Sequence, residues 1–202
     1  MPKLISALKY LPVVIIFLTD NITAQQSDTN LEIFYKMIDS SVTDLISRIP
    51  QNEETIGLEL NLGESHSIFN NKIIAKTISL GKKISNAKDE NLLNINYVID
   101  KTNVNYGELF RDGFLGDYYL PRNLSLTGSY TIENSSPVFQ DFDYSYSDTI
   151  RYDNIRNIED KSFPFTKGEI PSEPFLSSLF EPIVAIGAAA VVVILFFTIR
   201  SK

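Results

Sequence analysis

The chain contains no cysteine, and that absence removes several kinds of chemistry at once. A disulfide framework, a thiol nucleophile, a thiolate metal centre and a lipid-modified N-terminal cysteine are all excluded. Histidine is almost as scarce: the lone His66 leaves no multi-histidine metal site. Positive charge is short too, with 18 Lys and Arg against 25 Asp and Glu for a net −7. The deficit lies in the middle, where residues 25–181 hold fourteen basic and twenty-four acidic groups and stand at −10. Such a domain repels phosphate backbones and has no general attraction to an anionic membrane surface, so nucleic acid is not an expected partner. The same excess keeps a domain soluble.

What is present is 202 residues, 44% apolar and 11% aromatic, a globular composition too rich in aromatics for a disordered chain. Two segments are far more apolar than the average, Tyr10–Leu18 and Ile183–Ile199. Between them, residues 25–181 are enough for one sizeable core and too few for two.

The N-terminus has Lys3 and Lys9, then the apolar run Tyr10–Leu18, then Thr19-Asp-Asn21. Nine helical residues cover only about 14 Å, half of the hydrocarbon layer. The pattern reads as a secretory signal over residues 1–24, cut after Ala24, with an uncleaved N-terminal anchor as the alternative.

The C-terminal segment is the most specific signal. Ile183–Ile199 carries no charge, and eleven of its seventeen residues are Ile, Val, Leu or Phe. Those eleven favour insertion into a bilayer by roughly 3–7 kcal/mol. Pro182 suits the first helical position, and Arg200 and Lys202 can reach the far headgroups. A buried core helix is a poorer reading because the segment is apolar on every face. A glycolipid-anchor signal fits worse, since the tail ends in two cations. The expectation is a transmembrane helix over 183–199, with residues 200–202 as a cytoplasmic tail. Arg200 and Lys202 after the span, against Glu169, Glu173 and Glu181 before it, put the domain outside.

For residues 25–161 the pattern predicts an α/β (α+β) domain: two helices on a mixed or antiparallel sheet of about 4–6 strands. Thr29 and Glu32 have the spacing of a capping box, and Leu31, Phe34, Ile38, Val42, Leu45 and Ile49 recur at helical spacing before Pro50. Thr55–Leu62 alternates as a strand. Ser65 or Ser67 can cap a second helix with Phe69, Ile73, Thr77 and Leu80 on one stripe, and Gly81 stops it. Strand alternation then runs through Leu93–Ile99, Leu124–Ile132 and Phe142–Tyr146, with a turn at Asn134-Ser-Ser-Pro137. Four prolines from 162 to 182 make a short stiff tether, and its Phe163, Phe165, Phe175, Leu176, Leu179 and Phe180 suggest that it leans on the domain or the membrane interface.

Over about residues 30–135 this element order is similar to that of small α/β domains of bacterial envelope assembly proteins. Curli-secretion pore subunits and lipoprotein activators of cell-wall synthases are examples. Those proteins are generally anchored by a lipidated cysteine, which this chain lacks. The likeness is one of fold and transfers no residue role.

Catalytic motifs fail on inspection. Ser65-His66-Ser67 places neighbours that do not face one another on a helix, and Gly81-Lys82-Lys83 lacks the first glycine of a phosphate loop, having Lys76 there. Glu53–Glu54 sits in a loop with no second group to work with. Asp141 and Asp143, with Asp148 and Asp153 downstream, are hard oxygen donors that could hold Ca²⁺, or plain solvent-facing acids of a strand. The stretch Tyr106–Asn123 reads as a glycine-punctuated loop rich in Tyr, Phe and Arg, the residues that anchor protein interfaces. Arg111, Tyr118, Tyr119 and Arg122 are its candidate partner-binding residues. The other reading is an ordered loop with its aromatics in the core and its Arg–Asp pairs internal.

The sequence therefore leads to a non-enzymatic, single-pass protein of the inner (plasma) membrane, without cofactor or metal. Its acidic domain lies on the periplasmic side as a scaffold or accessory subunit for a partner on the same membrane. The alternative is an exported small-ligand or calcium-binding sensor, against which stands a three-residue tail with nothing to carry a signal.

Overall fold

The computed structural model describes residues 27–85, 92–113, 116–133, 137–172 and 177–200. The leader at 1–24 with its cut at Ala24, and most of the Asn134-Ser-Ser-Pro137 turn, lie outside the described residues. So do Ser201 and Lys202 of the expected tail.

The first element, α1 (Asn30–Ser47), starts as its sequence dictates. Thr29 Oγ1 accepts from the Glu32 amide at 3.2 Å and the Glu32 carboxylate accepts from the Thr29 amide at 2.7 Å, a complete capping box. Ile33, Phe34, Met37, Ile38, Val42, Leu45 and Ile46 form its buried stripe. Strand β1 (Thr55–Asn61), helix α2 (Phe69–Ser79) and strand β2 (Lys83–Ser85) make a parallel crossover unit. Neither serine caps α2: the N-cap is Ile68 and makes no side-chain cap bond, while Ser67 Oγ donates back to the Glu64 carbonyl. Gly81, at φ +87°, ends the helix as expected.

Three long strands follow: β3 (Leu93–Tyr106), β5 (Tyr118–Glu133) and β6 (Val138–Arg151), with the two-residue β4 (Phe110–Arg111) beside the start of β5. The sheet order is β2-β1-β3-β5-β6, β4 lying next to β5 on the β3 side. β1 pairs parallel with β2 and β3; β3–β5 and β5–β6 are antiparallel. The expected mixed sheet is thus present with six strands. The stretch read as a loop at 106–123 is instead the end of β3, the β4–β5 hairpin and the first residues of β5. Strand alternation there is masked by Gly107 just after β3, by Pro121 on the outward row and by Arg122 at an inward position.

Alternation places Ile95, Tyr97, Ile99, Leu124, Leu126, Tyr130, Ile132 and Phe142 on the face covered by the helices, all buried. Gly128 lies among them because Phe142 fills its place: a Cβ there would meet the Val98 carbonyl at 2.3 Å and the Phe142 ring at 2.5 Å. Phe142 in turn stacks on Tyr97 and Tyr130. Tyr97 closes the layer against α1 through a 2.6 Å hydrogen bond to Ser41.

Beyond β6 the chain makes a one-turn helix, α3 (Ile155–Ile158), and folds back onto the domain. Phe165 packs against Phe34, Phe69 and His66, and Thr166 is fully buried. Residues 162–168, read as tether, therefore belong to the folded unit in the same way as residues before 161.

The last element, α4 (Ser177–Arg200), is 24 residues long. It begins five residues before Pro182, which lies inside the helix and withholds one i→i−4 hydrogen bond. Every residue described from Pro182 to Thr198 is exposed, so the segment is not a core helix of this domain. Among the described residues no helix is long and apolar enough to cross a membrane.

Candidate interaction surface

The four residues expected to meet a partner are brought to one end of the sheet but split between interior and surface. Arg122 is fully buried, which removes it from any surface. Its strand position is opposite Asp148 on β6, and the two form a forked pair: Nε to Oδ1 at 2.8 Å and Nη2 to Oδ2 at 2.5 Å. Its Nη1 donates to the Asp28 carbonyl at 2.9 Å and Asn30 Oδ1 at 2.8 Å, and Tyr146 lies under the guanidinium. Each of the three guanidinium nitrogens thus has a partner inside the chain, the state in which a buried arginine is tolerable.

The network continues. Asn30 Nδ2 donates to the Tyr106 hydroxyl at 3.0 Å and to the Thr166 carbonyl at 2.8 Å. The Tyr106 hydroxyl donates to Glu159 Oε1, which also accepts from the Gly168 amide, both at 3.0 Å. Burial pushes the Tyr106 phenol well above its ordinary value, so it is a hydrogen-bond donor throughout the accessible pH range. Asp28 and Asn30, where the chain enters the domain, are thus bonded to the same cluster as Thr166 and Gly168, where it leaves. Sequence reasoning missed this cluster because Asn30, at its centre, bonds partners 76, 92 and 136 residues away.

Arg111, Tyr118 and Tyr119 lie at the same end, outside the core. Arg111 pairs with Tyr118 in the β4–β5 ladder, its guanidinium 5.0 Å from the ring centroid, and its Nε donates to the Gly116 carbonyl at 2.8 Å. On the opposite face of the same two-residue ladder Phe110 stacks on Tyr119 at 6.1 Å, and Phe110 is 48% exposed. Arg151, opposite Tyr119 on β6, bonds Asp153 at 2.7 Å and reaches Asp117 at 3.4 Å. The two strands are therefore pinned from both sides, with Phe110 exposed and Tyr118 and Tyr119 partly so. Phe110 is the member of this corner absent from the four candidates.

The outward face of the sheet is small and polar. Asn61, Asn94, Asn96, Asn123, Ser125, Thr127, Ser129 and Thr131 occupy its centre, several bonded across strands, as Asn61 to Asn96 at 2.7 Å and Ser147 to Asn123 at 2.6 Å. Asp141 and Asp143 share this face on β6, as their spacing implied. Asp148 does not join them: it points inward to Arg122, and Asp153 lies beyond the strand in a short 3₁₀ turn. The proposed calcium donors are thus divided between two faces. Among the described residues no group of three or more His, Asp or Glu side chains converges.

His66 is held within the fold. Its Nδ1 lies 3.2 Å from the Leu62 carbonyl, which can only accept, so Nδ1 carries the proton and Nε2 accepts from Thr102 Oγ1 at 2.9 Å. Burial lowers its pKa, partly offset by the Leu62 bond. Lys82 is likewise structural, donating from a buried position to the carbonyls of Pro50 and Glu53 at 3.1 and 2.8 Å.

No protein-family model matches the chain, and no curated protein matches it. Among solved structures, it is similar in part to a minor lipoprotein from Acinetobacter baumannii: 13% identity, 52% of this chain and 70% of that one covered, TM-score 0.35. It is also similar in part to the rare lipoprotein B from Shewanella oneidensis: 8% identity, 64% and 81% covered, TM-score 0.32. With TM-scores below 0.5, neither likeness carries an argument about what this chain does.

Proposed function

We propose that the chain is a non-catalytic accessory protein of the cell envelope, held at the inner membrane by α4, with its acidic domain on the outer side as a scaffold for a protein partner. One observation carries this reading: the seventeen consecutive helical residues Pro182–Thr198, ten of them Ile, Val, Leu or Phe, are all left exposed by the described residues. Water does not tolerate a helix that is apolar all round, and a bilayer does. Arg200 and Lys202 beyond the helix, with Glu169, Glu173 and Glu181 before it, favour export of the domain under the positive-inside rule.

The non-catalytic reading is supported by the engagement of each polar candidate: His66 and Lys82 on main-chain carbonyls, Arg122 on Asp148. What the domain offers a partner is its polar sheet face and β6, a 14-residue strand that among the described residues is paired on one side only. The test is photo-crosslinking in intact cells from a reporter replacing Ser145 on β6, combined with external protease on spheroplasts. Protease digestion of the domain and a discrete crosslinked neighbour support the reading. A domain shielded by the intact membrane, or the absence of any crosslinked protein, contradicts it.

A further inference from the structure

The domain meets the membrane with a defined end. Entry and exit of the chain are bonded to one another at one pole, through Asn30 to Thr166 and Arg122 to Asp28. From Gly168 to Ser177, where α4 begins, only eight residues intervene, Pro171 and Pro174 among them, a reach of about 28 Å at 3.1 Å per residue. The pole that carries the exit is therefore the one drawn to the bilayer. The β4–β5 corner sits at that pole: Tyr119 is three residues, about 10 Å, from Arg122 along β5.

Resting on the membrane-anchored reading above, we propose that Phe110, Arg111, Tyr118 and Tyr119 contact the interfacial layer of the bilayer and stand the sheet upright on it. The chemistry of the corner fits that layer. The exposed Phe110 ring, with the partly exposed Tyr118, Tyr119 and Arg111 beside it, combines apolar bodies with polar tips, which suits side chains at headgroup depth. Cross-strand pairing with Arg151, itself tied to Asp117 and Asp153, balances charge locally, so the contact depends on ring burial rather than on anionic lipid. At the other end of the same outer face, Phe139 pairs with Thr131, twelve residues along β5 from Tyr119. That is about 40 Å, which puts Phe139 beyond the headgroups when Tyr119 touches them.

The chain contains no tryptophan, so single reporters can be placed without background. The full chain carrying Tyr119→Trp, Phe110→Trp, Phe139→Trp or Phe196→Trp would be reconstituted in phosphatidylethanolamine–phosphatidylcholine vesicles with acyl chains brominated near the headgroup. The proposal expects emission to be lost at 119 and 110, retained at 139, and lost at 196. Quenching at 196 with 119 and 110 as bright as 139 overturns the resting corner while leaving the anchor intact. Unquenched emission at 196 overturns the anchor itself, whichever way the corner behaves. Using two corner reporters guards against one substitution disturbing the hairpin.

Discussion

Arg122 and Asp148 face one another across β5 and β6 and close a two-pronged ion pair in a position where the arginine has no exposed surface. From there the bonds reach Asn30, Tyr106, Glu159 and Thr166 and hold both ends of the domain together. Removing one member strands the other. Asp148→Asn leaves a buried, unpaired guanidinium and is expected to cost about 3–5 kcal/mol of unfolding free energy, towards the low end because Asp148 is partly exposed. Denaturant titration of the detergent-solubilised chain measures this, and a change within the noise would contradict the assigned pairing.

Gly128 is fixed by the ring above it. Gly128→Ala drives a methyl into the Val98 carbonyl and Phe142, and overpacking of this kind costs about 1–3 kcal/mol. Ser145→Ala, on the open side of β6, is expected to be nearly neutral. Equal midpoints for the two variants would show that the inner and outer faces are assigned wrongly.

Thr29→Ala removes the side-chain acceptor of the capping box and is expected to cost about 1 kcal/mol. Because α1 begins beside the Asn30–Thr166 bond, the same variant should speed amide exchange in the first turn of α1 before the rest of the helix. Uniform exchange along α1 would argue against a local cap.

The single histidine makes acid sensitivity attributable. Burial holds the folded-state pKa of His66 below its ordinary value of 6.5, so the unfolded chain binds the proton more readily. The stability that His66 contributes is therefore complete above pH 6.5. It is lost as pH falls from there through the folded-state value, before most carboxylates titrate. The melting temperature should drop between pH 7 and pH 5.5, and His66→Asn should flatten that part of the profile. An unaltered profile in the variant would move the acid sensitivity elsewhere.

Much of the fold was legible because its signals are local. The capping box, the apolar stripe of α1, the alternation of β1 and the inward rows of β3 and β5 depend on neighbours within a few residues. The reading of 106–123 as a loop failed where those local signals conflict. Gly107, Pro121 and Arg122 look like interruptions, yet Gly107 is small because Pro121 packs on it and Arg122 points inward because Asp148 awaits it. Of the candidate residues, Arg111, Tyr118 and Tyr119 are put forward by residue type alone, and they lie together on the β4–β5 ladder. Arg122 was misplaced because nothing within its own segment announces the carboxylate 26 residues later. Phe163 and Phe165 did signal that the start of the tether leans on the domain.

The central claim is that α4 lies in the bilayer, and extraction of native membranes at alkaline pH addresses it most directly. Two charges at the helix centre cost about 5–7 kcal/mol, enough to cancel the insertion energy of the eleven large apolar residues of Ile183–Ile199. The account predicts that the unaltered chain stays with the membrane pellet, whereas Val192→Lys combined with Leu195→Asp moves it to the supernatant. Release of the unaltered chain into the wash, or retention of both alike, would contradict it.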